Sequence, residues 1–161
     1  MRGTYTIIVY CSRERHRIFG RLGRAKLRRG SYLYTGSAMG SGSTSLERRL
    51  KRHEAHSKTV RWHIDYLTSM PECTVTGAVY VASNKRLECD VNLAISEKLK
   101  LHPVLPRIGA SDCRCDGHLL GPELRLSRMA LLELLAVIYR RLARGGSSRV
   151  VQIECASSHR F

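Results

Sequence analysis

The chain has 161 residues, 28 Lys plus Arg against 13 Asp plus Glu, and a formal net charge of +15, with 43% apolar residues. That length suits one domain, or one domain with an extension, and the apolar content is that of a soluble globular protein. No apolar run approaches a membrane span and no charged-then-apolar leader precedes the first strand, so a cytoplasmic setting with six reduced cysteines is expected. The charge favours a polyanion partner, and arginine dominates it, which suits bidentate phosphate contacts.

Residues 4–11 are β-branched and aromatic and read as a buried strand. Residues 17–22 are a second short strand candidate, with Gly20, Gly23 and Gly30 marking turns around it. Residues 31–37 form the next strand, with Tyr32 and Tyr34 on one face, and residues 36–43 a small-residue loop. Thr44-Ser45-Leu46-Glu47 fits a capping box, so a basic helix is predicted from Ser45 to about His56. Residues 62–69 read as a short helix with Trp62, Tyr66 and Leu67 inward.

Residues 73–82 alternate as Val75, Gly77, Val79 and Val81, a strand pattern. Residues 86–101 read as a helix ended by Pro103 and Pro106. Residues 109–121 are irregular, with a short strand at 118–120. After Pro122 the composition shifts: residues 126–142 form a strongly apolar helix, Gly145 to Ser148 break it, and residues 149–155 form a last strand. The expected fold is α/β. A small mixed, mainly antiparallel sheet flanked by helices spans residues 1–121. A helix-strand extension over 122–161 packs on it or on a partner.

The motifs Gly3-Thr4-Tyr5 and Tyr34-Thr35-Gly36 are followed by a helix with Arg49 and His53 four residues apart, on one face. Two phenols, a guanidinium and an imidazole at one site suit phosphodiester chemistry. This ordered set resembles the GIY-YIG nuclease family. The stretch Trp62-His63-Ile64-Asp65-Tyr66-Leu67, and Gly109-Ala110-Ser111-Asp112-Cys113-Arg114-Cys115 with His118-Leu119, resemble a narrower branch. That branch is the archaeal DUF123 group, also found fused to base-excision glycosylases of the endonuclease III type. The resemblance covers about residues 1–120.

What the resemblance implies is an endonuclease that uses one divalent cation, Mg2+ or Mn2+, as Lewis acid. Glu88, at the start of the helix after the third strand, is the implied metal ligand, whereas Glu97 reads as a solvated carboxylate. Tyr5 and Tyr34 are the implied water-activating and phosphate-contacting phenols, and Gly36 completes the second tyrosine motif. Arg49 is expected to stabilise phosphate charge, and His53 to bond a phosphate oxygen or Tyr34. His63 stands where some members carry a further histidine. Arg48 and Arg52 are either substrate contacts or solvated helix-face residues. Trp62 and Tyr66 read as core rather than as base-stacking residues.

Two features depart from the family. The gap between the tyrosine motifs is longer, and its basic residues 12–30 either contact DNA or complete a hairpin. The usual asparagine after the glutamate helix is not evident, and Asp112 either replaces it or braces Arg49. Cys113-x-Cys115-x2-His118 invites a zinc reading, but the one-residue spacing is uncommon and no fourth ligand is evident, so buried thiols in a tight turn are expected and zinc is disfavoured. The expected partner is nucleic acid, DNA first, in repair or processing. A homodimer through the C-terminal helix and association with a base-excision glycosylase are further expectations. The alternatives are a non-catalytic nucleic-acid-binding module on the same scaffold, or a partner-recruiting domain.

Overall fold

The structure, a computed structural model, describes residues 1–143 and 149–155. In chain order run β1 (Gly3–Cys11), β2 (Arg15–Ile18), β3 (Arg24–Leu27), β4 (Gly30–Ala38), α1 (Leu46–Glu54), α2 (His63–Thr68), β5 (Cys73–Ala82), α3 (Glu88–Leu99), β6 (Leu119–Glu123), α4 (Arg128–Leu142) and β7 (Val150–Glu154). Five strands form one sheet in the order β6-β4-β1-β5-β7, and β2 and β3 form a separate hairpin. Every pairing is antiparallel, so the sheet expected to be mainly antiparallel is antiparallel throughout. Among the described residues no helix is long and apolar enough to cross a membrane.

The central strand β1 explains the layering. Its residues alternate between faces, as strand geometry requires. Tyr5, Ile7 and Val9 pack with Leu46 of α1 and Ile64 and Leu67 of α2, whereas Ile8 packs with α3 and α4 through Val91, Ile95, Leu131 and Leu132. The sheet is thus covered on both faces. The apolar run of α4 is explained by burial within the chain. Leu131, Leu132, Leu135, Ala136 and Tyr139 are fully buried, and each leucine contributes roughly 1.5–3 kcal/mol on removal from water. Tyr139 also bonds Thr6 of β1 across 2.9 Å, and β7 adds an outer strand beside β5.

Several boundaries differ from expectation for local reasons. The second strand is Arg15–Ile18, Gly20–Leu22 is a 3-10 turn, and β3 completes the hairpin that was one reading of the basic insertion. Ser45 sits at the N-cap of α1 but makes no side-chain cap bond, and the Leu46 N–H is satisfied by the Met1 carbonyl instead. The helix ends at Glu54 rather than near His56. The predicted alternation of Val75, Gly77, Val79 and Val81 on one face fails. A bulge pairs Ile8 with Gly77 but Val9 with Val75, leaving Thr76 extra and reversing the phase. Val75 therefore joins the α1 side, while Val79 and Val81 join the α3–α4 side. The predicted break at Gly145 to Ser148 lies outside the described residues.

Cys11 and Cys73 face each other across β1 and β5 and are joined by a disulfide, correcting the expectation of six reduced thiols. Cys89, Cys113, Cys115 and Cys155 are free.

Candidate functional site

The site begins where the sheet stops being paired. β6 covers β4 from Ser31 to Tyr34 only, so the outer edge of β4 is open at Gly36 and Ser37. A cleft of about 370 Å³ lies there. Its lining includes Tyr34, Gly36, Arg49, Trp62, His63, Glu88, Gly109, Ser111, Asp112 and His118. Gly36 is required by space. A Cβ at this position would stand 2.8 Å from the Tyr5 oxygen and 3.3 Å from the Tyr34 ring. Gly109 is required by both space and backbone: its φ is +70°, and a Cβ would meet the Tyr34 ring at 2.8 Å. Its N–H donates to His63 Nδ1 at 3.0 Å, so Nδ1 is the acceptor and the neutral ring carries its hydrogen on Nε2. Burial lowers the pKa of His63 and favours that neutral ring.

Tyr5 lies behind this wall, 1% exposed, as is His53. The Tyr5 oxygen is 2.9 Å from His53 Nε2, so the histidine serves Tyr5 rather than Tyr34. Burial pushes the Tyr5 phenol up to about 12 against the opposing Arg49 charge. Burial, reinforced by the Lys58 charge, pulls His53 down to about 3. Both members of the pair are therefore neutral near pH 7. Tyr34 stands closer to solvent at 8% exposure, 6.4 Å from Tyr5 between ring centres. Burial and the neighbouring Tyr5 raise its pKa too, again opposed by Arg49. Tyr32 is the ordinary strand residue expected, its hydroxyl donating to the Arg28 carbonyl.

The arginines of α1 divide into different roles. Arg52 donates to Asp65 at 2.7 Å, and that carboxylate also accepts the N–H groups of Arg61 and Trp62. Burial alone would raise Asp65, but these three bonds outweigh it and hold the carboxyl below its usual range. Arg52 is thereby the half-buried partner of a buried carboxylate and fixes α1 against the start of α2, not a free phosphate contact. Arg48 is exposed on the outer surface of α1. Arg49 and Arg52 both lie over the Trp62 ring, at 4.7 and 5.0 Å from its centre. Among the described residues Arg49 pairs with no carboxylate, and its Nε is buried without a hydrogen-bond partner. Like Arg61, which also lines the cleft, it is a cation without a carboxylate partner among the described residues.

Glu88, which also lines the cleft, opens α3 and is 7% exposed. The preceding Leu87 N–H donates to Thr4 Oγ1, which ties the helix start to β1. Ser37 donates to Glu88 Oε2, and Arg86 lies 3.6 Å from Oε1. Arg86 also donates to Asp112 at 2.7 Å. Asp112 therefore braces Arg86, not Arg49. A single, nearly buried carboxylate facing a polar cleft fits a magnesium-type cation, which keeps several waters and takes few protein oxygens. Glu97 is exposed, as expected.

The fold thus brings Tyr34, Gly36, Arg49, His63, Glu88 and Asp112 to one cleft and places Tyr5 and His53 directly behind it. Sequence reasoning missed Ser37 and Arg86, which bind Glu88. Trp62 packs against the core as expected, and its half-buried ring also lines the cleft. Ser37 gave no signal beyond its place after Gly36.

The model of one family, described as "Domain of unknown function DUF123", matches residues 4–140, and the chain belongs to that family. No curated protein and no solved structure matches the chain.

Proposed function

We propose that this DUF123 chain is a divalent-metal-dependent endonuclease of the GIY-YIG kind, acting on nucleic acid and on DNA first, in repair or processing. The observation that carries the reading is Arg49. A guanidinium without a carboxylate partner lines one cleft together with a phenol, an imidazole and a carboxylate. That constellation is suited to a phosphodiester. Arg49 holds a phosphoryl oxygen and opposes the charge that develops on it. His63 presents an Nε2–H as a second donor. Tyr34 is the phenol exposed to the reacting groups, and it orients the attacking water. Tyr5 and His53, bonded behind it, are positioning residues that hold this wall of the cleft. Phenolate character is costly while burial raises both phenols, and Arg49 is the neighbour that reduces the cost. Glu88 would hold a magnesium or manganese ion, which supplies Lewis-acid stabilisation and a more acidic bound water. The net charge of +15 draws a polyanion to the cleft.

A second reading, a non-catalytic nucleic-acid binder on the same scaffold, is favoured by the internal partners of Glu88. A carboxylate already bonded by Ser37 and flanked by Arg86 can serve as a purely structural group. The deciding experiment is cleavage of nicked, flapped, abasic and bubble DNA, and of matched RNA, with magnesium or manganese. Cleavage lost in Glu88→Gln with retained binding supports the enzyme. Salt-sensitive binding without any cleavage supports the binder.

A further inference from the structure

Beside the cleft, and sharing His118 with its lining, lies a second donor set that the proposed chemistry does not use. Cys89 Sγ, Cys113 Sγ, Cys115 Sγ and a ring nitrogen of His118 all lie within 4.8 Å of one another. We propose that these four side chains form a closed structural zinc site that pins the 102–118 segment to the first turn of α3. The sequence disfavoured zinc because a fourth ligand was missing beside Cys113, Cys115 and His118. The fold supplies it as Cys89, from a different element.

The distances suit the metal. Zinc with thiolates at about 2.3 Å and imidazole at about 2.0–2.1 Å sets tetrahedral sulfur–nitrogen edges of roughly 3.6 Å and sulfur–sulfur edges of roughly 3.8 Å. Here Cys113 Sγ is 3.6 Å and Cys89 Sγ 3.9 Å from His118 Nε2. Three soft sulfurs and an imidazole select zinc over a magnesium-type ion, which wants oxygen. Four protein ligands leave no open position, so the site is structural rather than catalytic. A disulfide would engage only two of the three thiols and leave the histidine unexplained.

The segment's own structure calls for such a tie. It connects α3 to β6 with no helix or named strand, longer than connections in compact domains usually are. Within it Arg107 donates to the carbonyls of Cys113 and Cys115, and from α3 Asn92 donates to the Gly117 carbonyl at 2.8 Å, so the segment already lies against the helix that carries Cys89. This segment places Gly109, Ser111 and Asp112 on the cleft, and Cys89 is the neighbour of Glu88. Zinc here would hold the 109–112 residues and the Glu88 end of α3 together and take up the ring nitrogen of His118.

The test measures metal, so it stands or fails independently of nuclease activity. The full chain, produced with zinc supplied, is passed through gel filtration with a mild chelator and its metal content measured. Cobalt replacement is followed by absorption. About one zinc per chain is expected, with the charge-transfer and strong visible bands of tetrahedral thiolate cobalt. Cys89→Ser, Cys113→Ser and His118→Ala should fall below roughly a tenth of that occupancy, while Cys155→Ser keeps it. His118→Cys, which restores four ligands, should retain zinc and guards against misreading a folding failure. Removing zinc from the wild type should speed tryptic cleavage after Arg107 and Arg114. A metal-free wild type that takes up no cobalt would overturn the proposal. So would a Cys89–Cys113 disulfide found by mass spectrometry, full zinc in Cys89→Ser, or unchanged proteolysis on chelation.

Discussion

The Tyr5 oxygen and His53 Nε2 lie 2.9 Å apart, both side chains 1% exposed, with Gly36 leaving the space that the phenol occupies. The pair joins the first strand to the basic helix and places a neutral hydrogen-bonded unit behind the cleft. Its protonation is set by burial, so it makes a definite statement about pH.

His53 is held down to about 3 from an ordinary 6.5. The unfolded chain therefore binds a proton here that the folded chain does not, between those two values. Stability from this group is complete above the unfolded value and is lost as pH falls toward the folded one. By NMR, the His53 ring resonance should show no titration between about pH 5 and pH 8. A midpoint inside that range would mean that the imidazole is not buried and neutral, and that Tyr5 is bonded differently.

Arg49 and Glu88 separate catalysis from binding. Arg49→Ala should lower the cleavage rate by roughly 100-fold or more, because a preorganised charge stabiliser is lost. Its effect on DNA affinity should be small, since it is one cation among many. Glu88→Gln should reduce cleavage to background and leave affinity nearly unchanged. Single-turnover rates with parallel binding titrations check this. Wild-type rates in Glu88→Gln would remove the proposed metal ligand.

Gly36→Ala tests the close packing of the two tyrosine motifs. The added methyl would lie 2.8 Å from the Tyr5 oxygen and 3.0 Å from its ring, and Tyr5 cannot retreat because His53 stands behind it. The cost should be about 1–3 kcal/mol, read as a fall in Tm of several degrees. The cleavage rate should fall with it. An unchanged Tm would show that the phenol has room to move.

Asp65→Asn probes the support beneath the arginines. The carboxylate is fully buried and accepts from Arg52, Arg61 N and Trp62 N. Losing its charge strands the Arg52 guanidinium and should cost about 2–4 kcal/mol in denaturant unfolding at pH 7. Because the folded carboxyl sits below its usual range, that contribution is present above the unfolded value of 3.8 and disappears as pH falls through the folded one. Wild type and variant should therefore converge in stability at acid pH. A constant gap across the range would assign the effect to packing instead of charge.

Local patterns in the chain were enough to determine its main elements and the identity of its cleft. β-branched and aromatic runs at residues 4–11 and 73–82 are self-sufficient signals, since a buried strand needs that surface whatever it pairs with. Arg49 and His53 share a helix face by spacing alone. The position of Glu88 at a helix start was readable from the residues around it. What depended on contacts between distant segments was not readable. The bulge at Thr76 reversed which valines face which layer, because register is set by the partner strand. His53 turned to Tyr5 instead of Tyr34, Arg52 was taken by Asp65, and Asp112 was taken by Arg86. Each choice follows from which charge or hydroxyl the fold delivers within hydrogen-bond reach. Cys11 met Cys73, and Cys89 met Cys113, Cys115 and His118, for the same reason: donor sets assembled from separate elements exist only once the sheet and helices have packed.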